Sequence, residues 1–177
     1  MPSGKVHDLI TLMLAPPVLA VGYAATHSFS LAAISTIMFV FGGLMFGPDL
    51  DTASKQYSRW GIFRLFWFPY RSFFKHRSRW SHGLICGTLL RVIYFMGVIT
   101  LTAFVTAYTV NAYSGGELPA IGEFAKSWQA IGDTVSLNLG KEIFPAVFAG
   151  MWTGAASHTF TDLAGSYIKT GRITEFL

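Results

Sequence analysis

Cysteine is almost missing from this chain: Cys86 stands alone, inside an apolar run. That excludes an internal disulfide and a thiolate cluster of the kind that holds iron–sulfur or structural zinc sites. Charge is equally scarce. Only 12% of the 177 residues are charged and 52% are hydrophobic, whereas a soluble domain carries about a quarter charged residues. An ordinary soluble globule is therefore excluded, and a mean hydropathy of +0.46 points to a membrane protein. Met1 to Asp8 lacks a basic segment followed by a small-residue cleavage site, so the first apolar run is expected to stay in the mature chain. Internal repeats, heptads and low-complexity tracts are missing too.

What is present is a set of four apolar segments, each near the roughly 20 residues that a helix needs to cross a bilayer. They run over about 9–25, 31–47, 84–112 and 143–164. Pro16-Pro17 predicts a kink in the first, and Gly42-Gly43 predicts close helix approach in the second. The expected fold is all-α: a single-domain, integral membrane four-helix bundle. Between the second and third segments lies residues 48–82, where Lys55, Arg59, Arg64, Arg71, Lys75, Arg77 and Arg79 face only Asp49 and Asp51. Aromatic residues from Tyr57 to Phe74 alternate with those bases, the pattern of an amphipathic segment lying at the membrane interface. Pro69 is expected to divide it.

A net charge of +4 concentrated in one such loop is assigned to topology and anionic lipid, not to nucleic acid. By the positive-inside rule the loop is cytoplasmic, which puts both termini on the same side. Lys5, Lys169 and Arg172 agree with that orientation. Residues 113–142 form a mildly acidic connection with a candidate short surface helix near Ile121 to Ile131.

The polar residues are segregated. Of five histidines only His27, and of five aspartates only Asp133, fall at the end of the spans opposite the basic loop. His7, Asp8, Asp49, Asp51, His76, His82, His158 and Asp162 all belong to the cytoplasmic level. His158 and Asp162 share a helix face by their four-residue spacing, and an ionisable group at the depth of His158 is costly unless paired or metal-bound. Imidazoles and carboxylates without thiolates suit a divalent transition metal, zinc first, with manganese or iron as alternatives. The candidate metal ligands are His7, Asp49, Asp51, His76, His82, His158 and Asp162. Eight groups exceed the four of a closed mononuclear zinc site, so two ions are expected to fit. A dinuclear centre can lower the pKa of a water and stabilise both the entering and the leaving oxygen of a phosphoryl transfer.

Each assignment has a plainer counterpart. His82, and His158 with Asp162, can be buried polar residues bonded across helices. Asp49 and Asp51 can cap a turn after Pro48, and His76 can be a headgroup contact. Asp8 can cap the first helix, or serve with Asp51 as a catalytic carboxylate. Arg77 and Arg79 can hold a substrate headgroup or simply set topology, and Arg91 can reach a phosphate, snorkel or pair with an acid.

His7-Asp8, Gly47-Pro48-Asp49-Leu50-Asp51, His76 through His82, and Ser157-His158 with Asp162 together resemble the membrane-bound metal-dependent hydrolases of the LexA-regulated inner-membrane type. The resemblance is greatest to a cyanobacterial branch described as metal-binding proteins. It covers most of the chain outside 113–142, and it implies a helical protein of a bacterial plasma or thylakoid membrane with a His/Asp metal site. Ser78 and Trp80 depart from the Gly and Thr of the common pattern. Zinc-dependent phospholipase C offers a more distant analogy of fold and site.

Two functions follow. One is hydrolysis of a lipid or amphiphilic phosphoester at the cytoplasmic membrane face, with membrane lipid as the partner. The other is a non-enzymatic assembly or scaffold role with a structural metal or pigment site. The lipid phosphatase mechanism through a phosphohistidine is a poorer match, because Pro2-Ser3-Gly4 lacks the histidine that should follow.

Overall fold

Helix α1 (Gly4–Thr26) begins before the apolar run, so His7 and Asp8 lie inside it and Asp8 is not its cap. The helix continues through Pro16 and Pro17. It ends at His27, whose φ of 50° reverses the backbone while its N–H still bonds Tyr23 O at 2.8 Å. Ser28 then caps α2 (Phe29–Leu44) by accepting from Leu31 N. The two helices pack as a hairpin in which Gly22 lies against Ala32. The computed structural model describes residues 3–74, 83 and 86–171, and the regular elements among them are all helical, without a strand.

The basic loop is ordered into short pieces by its own residue types. A 3-10 turn (Pro48–Asp51) opens on Pro48, and Ser54 caps α3 (Lys55–Arg59) by accepting from Tyr57 N at 3.1 Å. A 3-10 run (Gly61–Trp67) leads into α4 (Phe68–Phe73), with proline in the first turn, so Pro69 divides the segment. The aromatic row is split between two environments. Trp67 and Tyr70 are fully buried, and Trp67 meets Phe46, Trp60 and Tyr70 edge-on at 5.3, 5.3 and 5.7 Å. Ile62, Phe63, Leu65, Phe68 and Phe73 are exposed on the other side.

This loop closes the end of α2. The last carbonyls of a helix have no intrahelical donor, and here three consecutive ones receive side chains from residues spaced along the loop. Gln56 Nε2 donates to Gly43 O at 2.7 Å, Arg59 Nη1 to Leu44 O at 2.7 Å and Trp60 Nε1 to Met45 O at 2.9 Å.

Helix α7 (Ile143–Thr170) crosses α2 with almost no side-chain volume between them. A methyl added at Gly150 would collide with Ser35 O, one at Gly154 with Phe39 O, and one at Gly42 with Met151 O. Gly150 and Gly154 form a small-xxx-small pair, the spacing that lets helix backbones approach. Gly43 meets Thr11 of α1 as closely, which gathers α1, α2 and α7 around one line of glycines.

Helices α5 (Cys86–Ser114) and α6 (Ile121–Leu139) complete the set. The connection that promised a short surface helix therefore carries a longer one. Glu123 starts it by accepting from Ala120 N–H, and Gly140, at φ 82°, ends it. The chain divides into two compact units: residues 1–91 with 144–177, and residues 92–143. Within the second, Trp128 Nε1 donates to Thr100 Oγ1 at 3.0 Å and Phe124 meets Phe104 edge-on.

Among the described residues, three stretches are long and apolar enough to cross a membrane: Gly4–Thr26, Phe29–Asp51 and Cys86–Ser114. The fourth expected span forms α7 and has the length, at 28 residues, but is not among them. The polar groups it carries explain this, since Ser157, His158, Thr159, Thr161, Asp162 and Ser166 lie on its second half. Most of them are buried.

Candidate metal centre

Three chain-distant segments deliver polar side chains to one place. α1 brings His7, the 3-10 turn after α2 brings Asp49, and α7 brings His158 and Asp162. Ligand atoms of His7, His158 and Asp162 all lie within 4.8 Å of one another. His7, His158 and Asp162 are 6, 3 and 2% exposed, so little water reaches them.

The closest spacings match those of neighbouring ligands on one ion. His7 Nε2 lies 3.2 Å from Asp162 Oδ1, and His158 Nε2 lies 3.3 Å from Asp49 Oδ2 and 3.7 Å from Asp162 Oδ2. Two ligands on one tetrahedral zinc, each about 2.0–2.1 Å from it, are separated by about 3.3–3.4 Å. His158 Nε2 is fully buried and faces two carboxylates, yet forms no hydrogen bond among the described residues; nor does His7 Nδ1. A buried polar atom in that state requires a reason. A cation between the nitrogen and the carboxylates is a sufficient one, and the donor set fits it.

The second layer is set by the loop. Gln56, 4% exposed, places its amide nitrogen 3.2 Å from His158 Nδ1 while it holds Gly43 O. One residue thus ties the ring on α7 to the end of α2. Sequence reading missed it. The available signal was a neutral amide in a basic loop, three and four residues before Arg59 and Trp60, hence on one helix face with them.

Asp8 is turned away from the cluster toward the loop. Its Oδ2 pairs with Lys55 Nζ and with Arg59 Nη2, the latter at 2.6 Å. Asp51 is buried, and Arg91, itself 2% exposed, interacts electrostatically with Tyr70, Asp51 and Asp49. Arg91 thus sits among acids and does not snorkel; its Nη2 also donates to Thr88 Oγ1 at 3.0 Å. His76, Arg77, Arg79 and His82 lie outside the described residues.

One cavity adjoins the cluster and another lies between α1 and α7. The first, polar and about 230 Å³, is lined by His7, Asp49 and His158 together with Asp8, Ser54, Lys55, Gln56 and Arg59. An apolar one of about 840 Å³ runs between α1 and α7 past Val6, Ile10, Leu14, Ala156, Phe160 and Ile168. Its wall also includes Ser157 and Thr161.

The chain belongs to the family described as "Uncharacterized metal-binding protein (DUF2227)", which it matches over residues 2–172. No curated protein and no solved structure matches it.

Proposed function

From membership of a metal-binding family and a buried His/Asp cluster, we propose that this protein is a membrane-embedded, metal-dependent hydrolase of a lipid or amphiphilic phosphoester. α7 serves as a fourth span whose polar half is sheltered by α1 and α2, and the basic loop rests on the cytoplasmic face. The observation that carries the reading is the polar cavity, lined by the cluster together with Lys55 and Arg59, in a unit that also has an apolar cavity between α1 and α7. A substrate with a phosphoryl head and an acyl tail needs both.

His7, Asp49, His158 and Asp162 would bind metal, zinc by donor type, which supplies Lewis-acid activation of the phosphoryl group and of water. The rest is the work of side chains. Lys55 and Arg59, which line the same cavity as the ligands, receive the phosphate charge. The groove between α1 and α7 aligns the tail. Water adds to phosphorus, the alkoxide of the alcohol leaves, and the proton given up by the water returns to the departing oxygen. Asp49, at 28% side-chain exposure, is the cluster carboxylate that lines the polar cavity, and it is placed to carry that proton. Asp8 is committed to Lys55 and Arg59 and acts as a tether.

The test is release of phosphorylated headgroup from phospholipid vesicles by the full chain in detergent, with zinc, manganese or iron supplied. Activity should depend on metal and fall on the order of 100-fold or more in Asp49→Asn. Metal binding without hydrolysis of any glycerophospholipid would favour the scaffold role with a structural metal, the reading that the near-complete burial of His7, His158 and Asp162 supports. Preparations with no transition metal would sink both.

A further inference from the structure

His7 and His158 lie face to face. Their ring centroids are 3.8 Å apart and their planes differ by only 12°. An imidazole nitrogen offers its lone pair in the plane of the ring, so an ion bound along the axis of one ring lies well outside the plane of the other. With metal–nitrogen bonds of about 2.0–2.1 Å, a single ion cannot lie in the planes of two rings stacked in this way. One ring would first have to swing out of a buried stack.

Asp162 offers a different solution. Its Oδ1 faces His7 Nε2 at 3.2 Å and its Oδ2 faces His158 Nε2 at 3.7 Å. Each oxygen is allotted to a different imidazole. Asp49 Oδ2, 3.3 Å from His158 Nε2, belongs with the second pair. The ligands therefore divide into two sets that share one carboxylate, and the ring separation of 3.8 Å is close to the roughly 3.5–4 Å between ions in two-metal sites.

We propose that the centre holds two divalent ions, one on His7 and one on His158 with Asp49, and that Asp162 bridges them. The inference rests on metal binding by the cluster and is independent of whether the protein hydrolyses anything. It also assigns the stacked rings a purpose, since their spacing fixes the separation of the two positions.

The experiment is metal titration of the full-length protein in detergent, stripped by chelator and reloaded with zinc or manganese. Bound metal is counted by elemental analysis after gel filtration, and helix content is followed by circular dichroism. The wild-type chain should hold about two equivalents, and its manganese form should show the spin-coupled resonance of a close pair. His7→Ala and His158→Ala should each retain about one equivalent with an uncoupled signal, and Asp162→Ala should lose both. One equivalent in the wild type, removed by either histidine substitution, would overturn the proposal while leaving metal binding intact. No bound metal at all would overturn the assignment of the cluster itself. Should the Asp162 variant fail to fold, wild-type stoichiometry and manganese coupling decide the matter alone.

Discussion

The two units keep their polar groups in different places. In residues 1–91 with 144–177, His7, Thr11, Asp51, Gln56, Arg91, His158 and Asp162 are buried, and glycines bring α2 and α7 backbone to backbone. In residues 92–143, only Ile143 is buried, and α6 is attached to α5 through Trp128, Thr100 and an aromatic pair. Burying an ionisable group is costly unless it is paired or coordinated. The first unit meets that cost at every turn, and the most economical reason is a site. The second shows no such expense, and its helices are held by ordinary surface contacts.

This contrast can be tested from the packing outward. Gly154→Leu puts a side chain where Phe39 O and Gly43 N now lie. It should destabilise the first unit by on the order of 3 kcal/mol, read as a lower thermal midpoint together with loss of bound metal. A variant that melts normally and keeps its metal would show that α2 and α7 do not need to meet this closely. Gln56→Leu should act more locally. It strands Gly43 O without its donor, at a cost of about 1–3 kcal/mol, and releases the His158 ring, which should weaken metal affinity by about 10-fold. If stability drops and affinity does not, Gln56 is a strut for α2 alone. The smallest effect belongs to the second unit. Trp128→Phe removes one hydrogen bond, worth about 0.5–1.5 kcal/mol, and metal content should not change. A fall in metal content there would break the separation between the units.

Much of the site could be read from the chain because ionisable residues are rare in apolar helices. His7, His158 and Asp162 each stand out for that reason, and the spacing of His158 and Asp162 places them on one face. Depth could be estimated as well, since helical rise converts residue number into distance along a span. Asp8 shows where this stops. Its sequence position gives it the same depth as His7, but successive helix residues point about 100° apart, and Asp8 meets Lys55 and Arg59 instead of the cluster. Depth is linear in sequence; azimuth depends on the neighbours. Gln56 was overlooked for a related reason. Its spacing to Arg59 and Trp60 marks a shared helix face, but its importance comes from three carbonyls left over at the end of another helix.

The sequence by itself determined an all-helical chain with long apolar segments, a basic aromatic loop and a surplus of metal-ligand residues at one level. Those properties follow from composition and periodicity, which are local. Only the tertiary structure decided that His7 stacks on His158, that Asp162 offers one oxygen to each, and that Arg91 sits among the acids. These depend on how α1, α2 and α7 rotate and how closely they approach. Glycines at 42, 43, 150 and 154 permit that approach, but the partner backbone each one meets is fixed only when the helices are together.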